Sequence, residues 1–555
     1  MFINVKEPKT HMENQTFEKS AKCNLKKILL SIVITLTFNH AIAQSIQWQK
    51  SLGGNGDDEA VSIQQTIEGG YIVAGYSDSN NGDVSGHHNN DNNFENFDYW
   101  IVKLDVDGIV QWQKSLGGTN EDVASSIIQT VDSGYIIAGS SSSKDGDVTS
   151  NHGDYSNDFW IVKLDIKGNL LWEKSLGGSG KEEATSIQQT TDKGYIVSGF
   201  SNSNDGDVTN IHSHLFDYWV VKLDSTGILQ WQKALGGYND DRAYYIEQTE
   251  EGGYIVAGYS SSKDGDVTTN HGSSDYWVVK LDSIGNLQWQ KSLGGSGPER
   301  VTCIKQTNDS GYIIAGFSKS NDGDVVGNKG DYDYWLVKLD GKGVLQWQKS
   351  LGGTRTDRAN SVQQTSDNGF ICAGVSESND GDITNKHEVS YDYWVIKIDS
   401  DGNLLWNKTL GGTGRDEANF IRQTSDNEYI IAGVSSSIDG DVTGNHSIPG
   451  FEGTPDYWIV KLDDKQTGTA NIISQQDISI YPNPASSKLT VDFSCSEFSY
   501  KGTIISLLNI NGEKVLEMKT DNFLHNLNLE GIPKGMYFIK IENNAKYLIE
   551  KLIVK

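Results

Sequence analysis

The chain has 555 residues and a formal net charge of −28, with 46 Lys and Arg against 74 Asp and Glu. Nucleic acid is not an expected partner, because phosphate binding needs clustered Lys and Arg. Anionic membrane surfaces are disfavoured for the same reason.

The N-terminal segment, residues 1–43, is predicted to be a signal peptide with a long leader. Lys26 and Lys27 precede the apolar run Ile28–Phe38, and Ala41-Ile42-Ala43 follows it. This order of charge, apolar run and small residues is typical of a secretory signal cleaved before Gln44. The apolar run is too short to cross a bilayer as a helix, so no transmembrane segment is expected in the mature chain.

The body of the chain, residues 44–463, is a repeat marked by tryptophan. One set follows the pattern W-[QEN]-K-[SAT]-L-G-G and consists of Trp48, Trp112, Trp172, Trp231, Trp289, Trp347 and Trp406. The other follows D-[YF]-W-[IVL]-[VI]-K-[LI]-D and consists of Trp100, Trp160, Trp219, Trp277, Trp335, Trp394 and Trp458. The nearly constant distance between successive Trp residues of one set indicates a repeat architecture. A buried Trp removes roughly 150–250 Å² from water, so packing between repeats is the expected role, and exposed sugar-stacking platforms are the alternative.

Each unit predicts a sheet of four short antiparallel strands. In the second unit these strands are Ser126–Thr130, Tyr135–Gly139, Phe159–Leu164 and Leu170–Leu176, all rich in aliphatic or aromatic residues. Tight turns with Gly and Asp join the first strand to the second and the third to the fourth. The second strand is apolar on both faces and the fourth alternates, as expected when one side of the sheet is buried and its outer edge is half exposed.

The phase of the repeat predicts a closed ring. The chain enters with a lone fourth strand, Ile46–Leu52, and leaves after a lone third strand, Tyr457–Asp463. Pairing the first strand with the last completes the seventh sheet and leaves only short, protected edges. A superhelical solenoid, the alternative, has no use for this offset and needs polar capping repeats. The predicted fold class is all-β, a seven-bladed β-propeller with four-stranded antiparallel blades.

The units resemble the SBBP-type β-propeller repeat, a family of bacterial extracellular repeats. The shared order is L-G-G-x-x-x-D-x-A, G-Y-[IV]-x-[AS]-G and K-L-D-x-x-G-N-L-x-W, carried for example by Gly177 to Ala184, Tyr195–Gly199 and Lys163–Trp172. The resemblance covers residues 46–463. It implies the propeller fold and an extracellular location, and it implies no reaction, because such repeats are known chiefly as architecture.

The loop that joins one blade to the next carries a carboxylate in every unit, two residues before the small residue that starts the inner strand. The seven residues are Asp58, Asp122, Glu182, Asp241, Glu299, Asp357 and Asp416. These loops surround the channel of a propeller, so the carboxylates are expected to form an acidic ring at its mouth that binds a cation or a cationic ligand. In the alternative, each carboxylate caps the backbone at the start of its own inner strand, and repetition in every blade favours that structural role.

A second acidic loop, between the second and third strands, carries [DN]-G-D-[VI]. Its second acidic residues are Asp83, Asp147, Asp207, Asp266, Asp324, Asp382 and Asp441. Carboxylate and amide oxygens are the ligands that calcium prefers, and calcium is the cofactor that these loops suggest. The pattern lacks the order of an EF-hand loop, and Asp beside Gly is also typical of a turn that bonds its own backbone, which is the favoured interpretation.

Most of the histidines fall in the same loops. They are His87, His88, His152, His212, His214, His271, His387 and His446, and the fifth unit has none there. Their spacing to the nearest Asp varies between units, which favours solvated loop residues over transition-metal ligands.

Positions that break the sevenfold pattern are the candidates for a unique site. They are Arg242, Tyr244, Tyr245, Arg300, Arg355, Arg358 and Arg415. They place cations on one side of an acidic face, where ordinary salt bridges are the simplest role. No G-x-S-x-G, H-E-x-x-H, P-loop or dinucleotide fingerprint occurs in the sequence, so no catalytic residue is predicted.

The C-terminal segment, residues 477–555, has a different composition and no trace of the repeat. A polar stretch, residues 464–476, precedes it and is predicted to be a linker. The segment opens with Ile478 to Pro484, contains Gly535–Ile541 and ends at Lys551 to Lys555. It resembles the C-terminal sorting domain of the type IX secretion system of Bacteroidetes-type bacteria, a small β-sandwich. The resemblance implies the secretion machinery as a partner, delivery to the outer cell surface or the medium, and removal of this domain during export.

The favoured interpretation is a secreted or surface-attached propeller that acts as a non-catalytic binding or adhesion module for a glycan or a protein, with calcium as an assisting ion. One alternative is an extracellular polysaccharide-degrading enzyme, a lyase or hydrolase, that uses the Arg-bearing side of the face. Another is a structural component of the surface or matrix. Fold alone does not choose among them.

Overall fold

The computed structural model describes residues 44–88, 96–153, 156–384, 386–387, 390–446, 453–463, 471–472, 478–493, 502–509, 514–522, 524–543 and 546–555. This part of the chain forms strands and turns, and no helix in it is long and apolar enough to cross a membrane. The fold separates into two compact units, of which one is Gln44–Asp464 and the other contains the described residues from 471 onward. The predicted signal peptide and most of the predicted linker lie outside the described residues.

The first unit contains, within its described ranges, seven four-stranded antiparallel sheets. The strands of blades 1 and 2 are β2 (Asp58–Gln65), β3 (Tyr71–Ser77), β4 (Asp98–Leu104), β5 (Val110–Leu116), β6 (Asp122–Gln129), β7 (Tyr135–Ser141), β8 (Asp158–Leu164) and β9 (Leu170–Leu176). Blades 3 and 4 consist of β10 (Glu182–Gln189), β11 (Tyr195–Ser201), β12 (Asp217–Leu223), β13 (Leu229–Leu235), β14 (Asp241–Gln248), β15 (Tyr254–Ser260), β16 (Asp275–Leu281) and β17 (Leu287–Leu293). Blades 5 and 6 consist of β18 (Glu299–Gln306), β19 (Tyr312–Ser318), β20 (Asp333–Leu339), β21 (Leu345–Leu351), β22 (Asp357–Gln364), β23 (Phe370–Ser376), β24 (Asp392–Ile398) and β25 (Leu404–Leu410). Blade 7 consists of β26 (Asp416–Gln423), β27 (Tyr429–Ser435), β28 (Asp456–Leu462) and β1 (Ile46–Leu52).

Blade 7 contains both ends of the propeller and closes the ring. Its strand order is β1-β28-β27-β26, and β1 pairs antiparallel with β28, with Leu52 opposite Tyr457. Blades 7 and 1 also contact each other directly. The hydroxyl of Tyr457 donates to the carbonyl of Trp100 at 2.8 Å, and the Ser425 N–H donates to the Gln65 side chain at 2.9 Å. The predicted closure by the N-terminal strand is therefore present.

Burial differs between the four strands of a blade in the way the sequence pattern indicates. In blade 2, β7 and β8 are buried along their whole length, whereas the outer strand β9 is exposed at its start. The inner strand β6 alternates between buried and half-buried residues. Because successive side chains of a strand point to opposite faces, the inner strand sends one set of residues into the blade interface and the other towards the central channel.

Both sets of Trp pack between blades, as predicted. The seven Trp of the third strands are 0 % exposed. Each lies 4.4–4.6 Å from an aromatic ring of the preceding blade, as measured between ring centroids. The outer Trp pack against the following blade, as Trp48 does on Tyr71 at 5.7 Å. A Cβ on Gly108, where φ is +74°, would lie 2.9 Å from the Trp48 ring, so this hairpin requires glycine.

A tyrosine hydroxyl joins most pairs of neighbouring blades. In the described chain six blades use the Tyr of D-Y-W, whose hydroxyl donates to the Trp carbonyl of the next blade at 2.8–2.9 Å. The last Gly of G-Y-[IV]-x-[AS]-G leaves room for it, because a Cβ on Gly139 would lie 2.6 Å from the Tyr99 hydroxyl. In blade 2 the position is Phe159, which has no hydroxyl to donate. Its ring still lies 4.5 Å from Trp219, the same distance as in the tyrosine pairs.

The second unit is a small sandwich of two sheets. Its strands are β29 (Asn471–Ile472), β30 (Ser479–Tyr481), β31 (Lys488–Asp492), β32 (Thr503–Leu508), β33 (Lys514–Thr520), β34 (Leu524–Asn528), β35 (Gly535–Asn543) and β36 (Lys546–Val554). Within the described residues, one sheet has the order β29-β36-β35-β32-β33 and the other β30-β31-β34. Leu489 and Val491 of the smaller sheet share a buried core with Ile505 and Ile539 of the larger sheet.

We expect Phe159→Tyr to stabilise the propeller. The added hydroxyl would donate to the carbonyl of Trp219, and a hydrogen bond of this kind contributes about 0.5–1.5 kcal/mol net. The reverse change in the next blade, Tyr218→Phe, removes the bond to Trp277 and is expected to cost about 1–3 kcal/mol, because a buried carbonyl loses its partner. Denaturant unfolding followed by Trp fluorescence measures both changes. A Phe159→Tyr variant less stable than the parent would show that the interface of blades 2 and 3 has no place for the hydroxyl.

Candidate functional site

The seven carboxylates expected around the channel mouth are buried between the blades. Asp58, Asp122, Glu182, Asp241, Glu299, Asp357 and Asp416 are each 0 % exposed. Each accepts the backbone N–H of the second Gly of L-G-G at 2.7–2.9 Å. Buried Ser hydroxyls add further bonds, such as Ser143 to Asp122 at 2.9 Å. These contacts correspond to the capping alternative, in which each carboxylate bonds backbone next to its own inner strand. The expectation that the seven carboxylates lie at the mouth of the channel is corrected.

The correction follows from the pleat of the inner strand. Asp58 points into the blade interface, and the next residue, Glu59, points into the channel and lines its cavity. Successive side chains alternate between the two faces of a strand, so the capping set and the channel-facing set are offset by one residue. Ligand binding by the capping carboxylates stays a prediction.

A second buried carboxylate, which the sequence pattern alone did not single out, faces each capping residue. It is the first residue of D-[YF]-W, and the set consists of Asp98, Asp158, Asp217, Asp275, Asp333, Asp392 and Asp456. A Cβ on Gly117 would lie 2.5 Å from Asp122 Oδ2 and 2.7 Å from Asp98 Oδ1. The two carboxyl groups therefore converge on the first Gly of L-G-G, and only glycine leaves them room. The signal was in the sequence, because all seven units have Asp at this position.

Burial raises the pKa of the seven capping carboxyl groups, and for most of them the charge of the facing carboxylate adds to the rise. The pKa of Asp58 and of Asp122 is raised to about 7, and that of Asp241 and of Asp416 to about 6, although hydrogen bonds from Ser and Gly oppose the rise. On the facing side, the pKa of Asp333 is raised to about 7. Two such groups in one buried place do not both ionise easily, so the pairs that contain these five residues retain a proton when free carboxyl groups have lost theirs.

The D-G-D loops fasten the blade-joining loops. The first residue accepts a backbone N–H from that loop at 2.7–3.0 Å, as Asp145 does from Thr119. The second accepts the N–H of the first Gly of L-G-G at 3.0–3.3 Å, as Asp147 does from Gly117. These contacts give the D-G-D loops a structural role, although the bonded backbone belongs to the blade-joining loop and not to the turn itself. In the part of the chain that the structure describes, no group of three or more His, Cys, Asp or Glu is arranged to hold a metal ion. Calcium binding stays a prediction for Asp83, Asp147, Asp207, Asp266, Asp324, Asp382 and Asp441.

Histidines in the same loops bridge neighbouring blades. Among the described residues, six of them contact the D-[YF]-W Asp of their own blade through Nδ1 at 2.6–3.4 Å: His88, His152, His212, His271, His387 and His446. In five of these, Nε2 lies 3.4–3.8 Å from the second D-G-D carboxylate of the next blade. In blade 5, Lys329 takes this place, with its N–H on Asp333 at 2.9 Å and its Nζ on Asp382. The varying sequence spacing concealed a constant contact, because the loops differ in length.

The contact with aspartate also changes the pKa of two of these histidines. The hydrogen bond to Asp98 raises the pKa of His88, although burial opposes it. Burial acts to lower the pKa of His446, but its contact with Asp456 outweighs burial and the pKa is raised. Acid therefore favours these two bridges as ion pairs.

Departures from the repeat line a cavity of about 410 Å³ in the central channel. This volume lies within the range of roughly 300–1,000 Å³ that is usual for small-molecule sites. All seven inner strands contribute to the wall, and the residues that differ most between blades are Glu59, Glu183, Arg242, Tyr244, Tyr245 and Phe420. The wall is unlike the blade interfaces, because its residue types change from blade to blade.

Ordinary ion pairs hold most of the arginines that break the pattern. The pairs are Arg242–Asp240 at 3.1 Å, Arg355–Glu377 at 3.4 Å, Arg358–Glu417 at 3.8 Å and Arg415–Glu417 at 2.9 Å. None of these partners belongs to the capping carboxylates. Arg300 instead lies over the ring of Tyr259, with 5.1 Å between its Cζ and the ring centroid.

Residues 479–555 match the family described as "Secretion system C-terminal sorting domain". The predicted sorting domain is confirmed. It implies export to the cell surface or the extracellular space and interaction with the secretion machinery.

The likenesses to named proteins are distant. The chain is 27 % identical to Regulatory protein FlaEY of Caulobacter vibrioides over 219 residues, which cover 36 % of this chain and 22 % of that protein. Sqt1 of Chaetomium thermophilum is 8 % identical, with a TM-score of 0.36 and coverage of 76 % of this chain and 99 % of that one. PorZ, a surface component of the type IX secretion system of Porphyromonas gingivalis, is 9 % identical, with a TM-score of 0.22 and coverage of 95 % and 88 %. Scores of this size support no argument about function.

We expect the propeller to lose stability as the pH rises from about 5 to about 8. The folded carboxyl pairs hold protons that unfolded carboxyl groups, with a pKa near 4, have released, so deprotonation favours the unfolded state. The loss is on the order of 1–3 kcal/mol for each of the five pairs that contain Asp58, Asp122, Asp241, Asp333 or Asp416. Asp122→Asn places an amide donor beside Asp98 in every protonation state, and it should lessen the loss.

Thermal unfolding at pH 5, 6, 7 and 8 measures this dependence. Glu121→Gln, an exposed change in the same loop, is the control and should follow the parent. Stability that increases with pH, or a profile of Asp122→Asn that matches the parent, would contradict the assignment of a retained proton.

We expect His212→Ala to destabilise the propeller by about 1–3 kcal/mol, because the buried Asp217 loses an imidazole partner at 2.6 Å. His214 lies two residues away in the same loop and is exposed, so His214→Ala should change stability by less than about 0.5 kcal/mol. Denaturant unfolding compares the two variants, and equal effects would show that the histidine bridge does not stabilise the ring.

Proposed function

We propose that this chain is an exported propeller that acts as a non-catalytic binding or adhesion module, and that its ligand, a glycan or a protein segment, enters the mouth of the central channel. One observation carries the proposal. Three of the residues that depart from the sevenfold repeat, Arg242, Tyr244 and Tyr245, line the channel cavity, whereas the repeated carboxylates are buried between the blades.

Symmetry supports a site in the channel rather than in the repeated loops. A site built from repeated residues would occur once in every blade, and the contacts of those residues are already used by the fold. The channel belongs to all blades together, and its wall combines carboxylates, an arginine, aromatic rings, hydroxyls and amides. A few placed polar groups beside aromatic surface are typical of a binding site.

The location of the protein fits this role. A sorting domain for secretion implies delivery to the cell surface or the extracellular space, where glycans and host-matrix proteins are available as ligands. Calcium assistance belongs to the proposal through the D-G-D loops, since the side chain of Asp83, for example, remains 40 % exposed.

The test is a binding screen of the full chain against polysaccharides and host-matrix proteins, in calcium and again in chelator. Ser125 lines the cavity and is half-buried, so Ser125→Trp should fill the channel and weaken binding at least 10-fold. Ser283→Trp makes the same change on the exposed outer hairpin of blade 4 and should bind as the parent does. Thermal unfolding of both variants shows whether they are folded.

Each outcome decides between the interpretations. Binding that survives Ser125→Trp would refute the channel as the site, and binding lost in chelator would assign the contact to the D-G-D loops. Release of shortened saccharides during the screen would indicate the enzyme alternative. No binding under either condition would favour a structural component of the surface or matrix.

A further inference from the structure

The guanidinium of Arg300 is held at the channel mouth by an aromatic ring instead of a carboxylate. Arg300 follows the capping residue Glu299 on β18, which is the strand position that faces the channel, and it is exposed. Its Cζ lies 5.1 Å from the centroid of the Tyr259 ring. A stacked guanidinium keeps its planar N–H fork free and oriented for a carboxylate.

The corresponding arginines of the adjacent blades are engaged. Arg242 binds Asp240 and lies 4.8 Å and 4.3 Å from the ring centroids of Phe200 and Phe216. Arg358 reaches Glu417 at 3.8 Å. Among the described residues, no Asp or Glu oxygen lies within 4.0 Å of a guanidinium nitrogen of Arg300. Of the arginines at this strand position, Arg300 is therefore the one whose charge is open to a ligand.

Tyr244 connects Arg300 to the cavity. Tyr244 lines the cavity and stacks on Tyr259, with ring centroids 6.0 Å apart and planes inclined by 30°. Burial raises the pKa of Tyr244, and the charges of Arg242 and Arg300 oppose that rise, so both guanidinium groups act on this phenol. Arg300, Tyr244 and Tyr259 thus form one cluster on blades 4 and 5 at the edge of the cavity.

The cavity wall offers acceptors to hydroxyl groups. The Nδ2 atoms of Asn360 and Asn419 donate to backbone carbonyls of the following blade at 2.9 Å. The hydroxyl of Thr302 donates in the same way at 2.8 Å. Because their N–H and O–H groups donate to backbone carbonyls, the oxygen atoms of these side chains keep lone pairs that can accept a hydrogen bond from a ligand. A ligand rich in hydroxyl donors fits such a wall.

Two carboxylates of the cavity wall limit how much negative charge a ligand can carry. Glu59 and Glu183 line it, and the whole chain has a formal charge of −28. A polyanion is repelled by this distribution. A ligand with one carboxylate next to Arg300 and neutral hydroxyls elsewhere is not repelled in this way.

We propose that the channel mouth binds an acidic saccharide through one uronate residue, with Arg300 as the group that binds its carboxylate. The inference rests on the proposed function and specifies its ligand. The carboxylate accepts N–H groups of the stacked guanidinium, the sugar hydroxyls donate to the side-chain oxygens of Asn360, Asn419 and Thr302, and Tyr244 lies beside the bound residue.

The experiment is calorimetric titration of the full chain at low salt with disaccharides that contain one uronate, either galacturonate or glucuronate, and one neutral sugar. The neutral controls are the same disaccharides with each carboxylate reduced to an alcohol. The uronates should bind at least 10-fold more tightly than the reduced forms, and added salt should weaken the uronates alone. Arg300→Gln should lower uronate affinity at least 10-fold, to the level of the reduced forms. Arg355→Gln removes an arginine that pairs with Glu377 outside the cavity wall and should leave affinity unchanged.

Several results would overturn the inference. They are equal affinity for both forms, uronate binding that Arg300→Gln does not weaken, and absence of uronate binding. A tetraglutamate peptide that binds where the uronates do not would assign the site to an acidic peptide instead. Failure of the proposed function is recognised separately, because ligand binding would then be insensitive to Ser125→Trp. Arg300 is exposed, so thermal unfolding of Arg300→Gln should match the parent.

Discussion

A propeller closes only when each blade fits the next, and in this protein that fit depends on a pair of buried carboxyl groups at every blade interface. One member starts the inner strand of a blade, and the other starts the third strand of the blade before it. The pair formed by Asp122 and Asp98 shows what each repeated motif of the unit does, because both groups converge on Gly117 of L-G-G. The second Gly and the buried serines donate to one member, and the loop histidine contacts the other. The need to hold this pair of carboxyl groups between two blades thus explains the repeated glycines, serines and histidine.

Because the inner strand is pleated, its two faces have different roles, one in the structure of the ring and the other in the proposed function. Its buried face carries the capping carboxylate and repeats in every blade, as the closed ring requires. Its channel face is free to vary, and there the chain places Glu59, Glu183, Arg242 and Arg300 at one strand position. A ligand that enters the channel contacts residues that the ring does not need, so the wall can change without loss of the fold.

The blade plan could be predicted from the sequence because it depends on local patterns. Strand order follows from turn residues and alternation, and closure follows from the lone strand Ile46–Leu52 at the start of the repeat. The site could be predicted only in part. Alternation shows that Asp58 and Glu59 point to opposite faces, but it does not show which face is the channel. The stack of Arg300 on Tyr259 joins two blades, and the histidine bridges cross loops of unequal length, so neither contact has a fixed spacing in the sequence.

The repeated residues hold the ring, and their strand neighbours do not. Glu182 and Glu183 offer the sharpest comparison, since they are the same residue type at adjacent positions of β10, one buried against Gly178 and Ser201 and the other lining the channel. The measurement is the free energy of unfolding of Glu182→Ala and Glu183→Ala at pH 5. Glu182→Ala should cost about 2–4 kcal/mol, because two buried donors lose their acceptor. Glu183→Ala should cost less than about 1 kcal/mol, because the ion pair of Glu183 with Lys181 is in contact with solvent. Equal losses, or a larger loss for Glu183→Ala, would show that the capping carboxylates do not hold the ring.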